Sequence, residues 1–263
     1  MKWWFSDYDG TIQLHNEPKI KNEDMDFINK WIGADNKLII TTGRNKFEAL
    51  EKIQEYKLDY EYLITNNGAM VHDKNNKTLM HSTISLDIRK KLVEKLDIMV
   101  GRCGIAFTSN NDKKILCGFD KPKKNETEPV LEYWFNQENV YEQYRNQLLT
   151  DKNVNNIAFY CYIEDINFIK ELFKDIKSIK ILQTFTFVVE IMDEHVSKKA
   201  GIEFIQKIHN FNDSDIYTSG DGENDIEMLE GYQNSFAINS GLEIVKQKAN
   251  YIIDSVKDIE KYL

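Results

Sequence analysis

Short apolar runs that stop at small or polar residues, with helix-period segments between them, constrain this chain more than any other feature. The runs are Trp3 to Phe5, Leu38 to Thr41, Tyr62 to Ile64, Ile216 to Thr218 and Phe236 to Ile238. Met25, Ile28 and Ile32 recur at helical spacing after Asn22, and Phe47, Leu50 and Ile53 do so after Gly43. Ile202, Ile205 and Ile208 follow Ser197, an expected N-cap, while Ile226 and Leu229 follow Asn224. Strand and helix alternating in this way predict a parallel α/β sheet.

The middle of the chain has another character. From Ser82 to Thr186 the strand candidates are Ile105 to Thr108, Ile115 to Phe119, Ile157 to Cys161 and Phe185 to Ile191. They alternate with helical stretches near Leu86 to Met99, Tyr141 to Leu149 and Ile166 to Phe173, which predicts a separate α+β domain. Met70 to Asp73 and Thr78 to His81 flank Lys74-Asn75-Asn76-Lys77, a β-hairpin signal at the entry to that domain. Lys121 to Pro129, with two prolines and five charges, predicts an exposed loop within it. The expected organisation is a discontinuous core over residues 1–82 and 187–263, with an insert over 83–186. At 263 residues and 41% hydrophobic content, the chain can fill both cores.

A formal charge of −9 repels phosphate backbones and anionic headgroups, so nucleic acid and membrane are excluded as expected partners. Three cysteines at wide spacing, Cys103, Cys117 and Cys161, fit neither a disulfide framework nor a zinc site. The apolar run at Trp3 to Phe5 is too short for a signal peptide, and no stretch reaches the length of a membrane span, so a cytoplasmic location is expected. The five histidines show no metal-ligand spacing and read as surface or core residues, and the four tryptophans fall in apolar patterns that read as core.

Four polar segments stand at the ends of these strands or the starts of these helices. Asp7-Tyr8-Asp9-Gly10-Thr11 follows the first strand, so two carboxylates leave the carboxyl end of the sheet on the same side, where α/β sheets bind ligands. Two acids held together can divide nucleophilic or metal-binding work from proton transfer. Gly220-Asp221-Gly222-Glu223-Asn224-Asp225 gathers acids at another strand end, as a hard oxygen-seeking cation requires. Neither segment is a calcium loop, because the glycine falls at the wrong position in each. Thr41-Thr42-Gly43-Arg44 ends the second strand with a hydroxyl and backbone N–H groups that can hold phosphoryl oxygens. In Val196-Ser197-Lys198-Lys199 the lysines oppose the dipole of the helix they open, so an anionic ligand is the expected compensation.

Taken in order and with Asn67-Gly68-Ala69, these segments resemble the haloacid dehalogenase (HAD) superfamily. The branch is the Cof-type sugar-phosphatase group with an α/β cap (type IIB). The resemblance implies a Rossmann-like parallel-sheet core with an inserted α+β cap domain that closes as a lid. It implies a phosphatase acting on a small phosphorylated metabolite, a sugar phosphate or similar, through an aspartyl phosphate. Asp7 would be the nucleophile, with Asp9 protonating the leaving oxygen and then activating water. Mg2+ would be held by the Asp7 carboxylate, the Asp9 backbone carbonyl and Asp221, with Asn224 and Asp225 in support. Thr42 and Lys198 would hold the transferring oxygens, within a phosphate-binding set of Gly10, Thr42, Gly43, Arg44, Lys198 and Asn224. Tyr8, Lys199 and Ser240 depart from the pattern, and Asn239 is expected near the site. A phosphomutase or phosphotransferase with the same intermediate, and a non-catalytic metabolite-binding regulator, stand as alternatives. Oligomeric state is left open.

Overall fold

The apolar runs become the strands of a sheet in a computed structural model that describes residues 1–121 and 129–263. Most of the loop expected at Lys121 to Pro129 lies outside the described residues. In chain order the first segment contains β1 (Trp3–Asp7), α1 (Asn22–Gly33), β2 (Lys37–Thr41), α2 (Lys46–Tyr56), β3 (Tyr62–Thr65), β4 (Met70–Asp73) and β5 (Thr78–His81). The insert contains α3 (Arg89–Met99), β6 (Gly104–Ser109), β7 (Asp112–Cys117), α4 (Pro129–Phe135), α5 (Tyr141–Thr150), β8 (Val154–Tyr160), α6 (Ile163–Phe173), β9 (Ile179–Phe185) and β10 (Val188–Asp193). The chain returns through α7 (Lys198–His209), β11 (Ile216–Gly220), α8 (Ile226–Gly231), β12 (Asn234–Ile238), α9 (Glu243–Lys246) and β13 (Tyr251–Ile253). These form two compact units, Met1–His81 with Ser197–Leu263, and Ser82–Val196.

In the first unit the strand order is β13-β12-β11-β1-β2-β3-β4-β5. Pairing is parallel from β13 to β3 and antiparallel for β4 and β5. The pleat sends Trp4, Leu38, Ile40, Leu63 and Phe236 to one face, against Phe27, Ile28 and Trp31 of α1. Trp3, Phe5, Ile39, Ile64 and Ile216 go to the other, against Ile202 and Ile205 of α7 and Met228 and Leu229 of α8. Burial on both faces is why these strands read as unbroken apolar runs. From β1 the chain proceeds outward through β2 and β3, and on its return places β11 on β1's other side. Strand order therefore reverses between β1 and β11, and the loops leaving their carboxyl ends diverge around a crevice.

Helix α2 shows what holds an element whose apolar signal is weak. Phe47 is 64% exposed, so the expected apolar face is incomplete. The helix is secured at its start, where the Asn45 side chain accepts from Phe47 N and Glu48 N and Glu48 reaches back to Asn45 N. Such a capping box satisfies donors that would otherwise be orphaned.

The insert is a five-stranded antiparallel sheet, β7-β6-β8-β10-β9. Ile105, Phe107, Ile157, Phe159, Val189 and Ile191 pack there with Leu92, Leu96, Ile169 and Phe173. Two expectations need correction. The strand expected over Phe185 to Ile191 is the last residue of β9, the turn between β9 and β10, and the first four residues of β10. Its neighbour β9, a half-exposed edge strand, carries no clear burial signal in sequence. The return to the core falls at Ser197 and not at 187, because β10 pairs with both β8 and β9 and completes the insert's sheet. Among the described residues no helix is long and apolar enough to cross a membrane.

Candidate active site

At the carboxyl end of β1 the chain turns through Gly10, at φ +89°, with Gly10 N donating to Gln13 O and Gln13 N donating to Tyr8 O. That turn releases Asp7 and Asp9 into the crevice. Asp7 is 5% exposed, and its Oδ1 accepts from Lys198 Nζ at 2.5 Å. Lys198 opens α7 from beneath Ser197, whose hydroxyl caps the helix by accepting from Ala200 N at 3.1 Å. The same ammonium donates to Asp225 Oδ1 at 2.6 Å. The lysine that opposes its helix dipole is therefore compensated by two buried carboxylates of the protein, where sequence alone pointed to a ligand. Lys199 is half-buried with its Nζ 3.6 Å from Glu203, so Lys198 is the lysine that enters the site.

The second acidic segment is organised from the end of β11. Asp225 Oδ2 accepts from Asp221 N at 3.0 Å and from Gly222 N at 2.9 Å, folding the segment around its own carboxylate. Asp221 accepts from Thr11 Oγ1 at 2.8 Å, and its Oδ2 lies 3.3 Å from His15 Nε2. Asn224 donates to Asn67 Oδ1 at 2.8 Å, joining this loop to the left-handed turn after β3. In that turn Gly68 has φ +102° and its Cα faces the Ser197 carbonyl, which an added side chain would overlap.

Thr42 is buried, and its hydroxyl accepts from Arg44 N at 3.1 Å. Gly43 lies so close to the Asn67 amide that a Cβ would come 3.0 Å from its oxygen. Arg44 donates from Nε and Nη2 to the two oxygens of Asp9, at 2.7 Å each.

The electrostatics follow from this crowding. Burial pushes the Asp7 carboxyl well above the usual range; Lys198 opposes that, and Asp225 and Asp221 add to it. Asp225 is raised by burial too, against the pull of Lys198. Burial would lower Lys198, but Asp225 and Asp7 outweigh it and hold the ammonium above its ordinary value. Lys198 pairs with Asp7 and Asp225, and with Asp221 close to both the three carboxylates leave an excess of negative charge that a cation relieves.

Asp7, Asp221 and Asp225 can each offer one carboxylate oxygen, all within 4.8 Å of one another, and all three are buried. An oxygen-only donor set of this kind fits Mg2+. Asp225, expected only in support, stands inside this group; Asp9, expected to offer its backbone carbonyl, gives its side chain to Arg44. Asn239 donates to Asp254 at an exposed position. Tyr8 is buried, 2% exposed, in the core cluster that includes Trp4, Leu38 and Ile53. His15, read from sequence as bland along with the other histidines, is the site residue that pattern missed. It carries no ligand spacing, and only the fold of the loop brings it to Asp221.

The model of the haloacid dehalogenase-like hydrolase family matches residues 4–262. A protein of Mycoplasma capricolum subsp. capricolum is 30% identical, over 98% of this chain and 99% of its own. A 5-amino-6-(5-phospho-D-ribitylamino)uracil phosphatase of Bacillus subtilis is 22% identical over 97% of this chain and 93% of its own. A solved HAD subclass IIB sugar phosphatase shares the fold with a TM-score of 0.81, covering 100% of this chain and 98% of that one at 20% identity.

Proposed function

Because the chain belongs to the haloacid dehalogenase-like hydrolases and is a phosphatase of small phosphorylated molecules, we propose that it hydrolyses a sugar phosphate or similar monoester with Asp7 as nucleophile and Mg2+ as cofactor. The observation that carries this reading is the convergence of Asp7, Asp221 and Asp225, two of them bound to the Lys198 ammonium, where strand order reverses.

Lys198 occupies Oδ1 of Asp7 and leaves Oδ2 as the attacking atom. As the Oδ2–phosphorus bond forms, the bond from phosphorus to the leaving oxygen breaks, and Asp9, carrying a proton on an oxygen released from Arg44, delivers it to that oxygen. In the second half Asp9 takes a proton from water, whose oxygen attacks the phosphorus of the aspartyl phosphate, freeing phosphate and the Asp7 carboxylate. Thr42 and Lys198 steady the transferring oxygens, where positioning and charge neutralisation govern the rate. Magnesium held by Asp7, Asp221 and Asp225 would supply further positive charge against those oxygens. The 22% identical B. subtilis relative, named for a phosphorylated ribityl substrate, supports a polyhydroxylated leaving group. The three free, buried cysteines support a reducing, cytoplasmic setting.

The test is release of inorganic phosphate from an aryl phosphate and from a panel of sugar phosphates, with and without Mg2+. Asp7→Asn should lower turnover by about a thousandfold or more. Undiminished turnover in that variant would remove the nucleophile assignment. Conversion of a sugar phosphate to its isomer without free phosphate would replace hydrolysis by the mutase reading.

A further inference from the structure

We propose that His15 is a positioning residue for the Asp221 carboxylate, and through it for the divalent cation; the inference rests on reading Asp7, Asp221 and Asp225 as the cation site. Asp221 is the first residue beyond β11, and its backbone is pinned where Leu242 N donates to its carbonyl at 3.1 Å. Gly241 packs so closely that a Cβ there would come 2.8 Å from the Asp221 Cβ. The backbone is thereby held, but the carboxylate can still turn about its own axis. Two partners from the loop after β1 restrict it, Thr11 at Oδ1 (2.8 Å) and His15 at Oδ2 (3.3 Å).

That loop is built to deliver both. The Gly10–Gln13 and Gln13–Tyr8 backbone hydrogen bonds close it, and a Cβ at Gly10 would overlap the Asp221 carboxylate and crowd His15 Nε2. The two groups thus meet over a position that only glycine leaves open. A carboxylate oxygen has two lone-pair directions, so Oδ2 can accept an imidazole N–H and still face a cation. Partners of this kind fix the orientation of a ligating carboxylate and are worth about 10–100-fold in metal affinity. Without His15, Thr11 alone would hold the group at one oxygen.

Mg2+ binding to the purified full-length protein, followed by calorimetry and by the rise of the thermal unfolding midpoint with Mg2+, is the test. His15→Ala should raise the Mg2+ Kd about tenfold, and His15→Gln, which keeps a side-chain N–H, should recover most of the loss. The Mg2+ concentration that gives half-maximal turnover should rise by a similar factor. An unchanged Mg2+ Kd in His15→Ala overturns the proposal. So does selective loss of Mn2+ or Zn2+ binding with Mg2+ binding intact, which would make the imidazole a direct ligand. Asp221→Asn serves as the control on the underlying site: if it too binds Mg2+ normally, the cation-site reading fails, whereas its loss beside an unaffected His15→Ala fails the positioning claim alone.

Discussion

Arg44 grips both oxygens of Asp9 through Nε and Nη2, at 2.7 Å each, tying the loop after β2 to the loop after β1. A planar guanidinium matches a carboxylate in this two-point way and an ammonium does not. The residue read from sequence as a phosphate donor is thus engaged with the proposed proton-transfer group.

Arg44→Ala should therefore lower kcat about tenfold to a hundredfold, by leaving the Asp9 carboxylate unaimed in the half-reaction where it takes a proton from water, a transfer worth about 10²–10⁴. Arg44→Lys should resemble the alanine variant more than wild type, since it cannot reproduce the fork. Steady-state kinetics decide the point; a rise in KM with kcat intact would return Arg44 to phosphate binding.

Lys198 is wholly buried between Asp7 and Asp225. Its removal strands two carboxylates without a cation, so Lys198→Met in metal-free buffer should cost about 3–5 kcal/mol of stability. Urea unfolding measures this. Adding Asp7→Asn should recover part of the loss, because one stranded charge is then gone; additive losses would contradict the charge argument.

Gly68 joins a positive φ to a contact with the Ser197 carbonyl. Gly68→Ala meets both a strained backbone and a collision, and should destabilise the protein by about 2–3 kcal/mol. A denaturant midpoint equal to wild type would show that the turn after β3 relaxes freely.

His72 is fully buried in β4, with Thr65 Oγ1 3.1 Å from Nε2 and Thr78 Oγ1 3.0 Å from Nδ1. Burial lowers its pKa from 6.5 to about 4, with Lys46 and His81 adding to the effect. Between those values the unfolded chain binds a proton that the folded one refuses. Stability is therefore complete above pH 6.5 and falls as pH drops towards 4, by about 3 kcal/mol in all. A His72→Gln variant, compared with wild type by urea unfolding across that range, should lose less on acidification. Parallel profiles would mean that His72 is protonated at no cost in the folded state.

The strands β1, β2, β3, β11 and β12 were legible because burial on both faces writes an apolar run into the sequence itself. Helix α7 was legible from the Ile202, Ile205 and Ser197 spacing, and the hairpin of β4 and β5 from its Asn-containing turn. Strand β9 was not, because an edge strand that is half-exposed along its length leaves neither an unbroken run nor a clean alternation. The boundary at 187 failed with it, since β10 shows its membership of the insert only through its partners.

For the site, the amino-acid sequence alone determined which residues stand at the strand ends, because strand, turn and cap preferences act over a few neighbouring residues. Tertiary structure decided what each side chain touches. Lys198 finds Asp7 across 191 positions, Thr11 finds Asp221 across 210, and Arg44 finds Asp9 across 35. Such pairings depend on strand order and the paths of loops, and on the low dielectric in which buried charges must be matched. None of these is encoded in local spacing, which is why His15 was invisible until the loop after β1 set it beside Asp221.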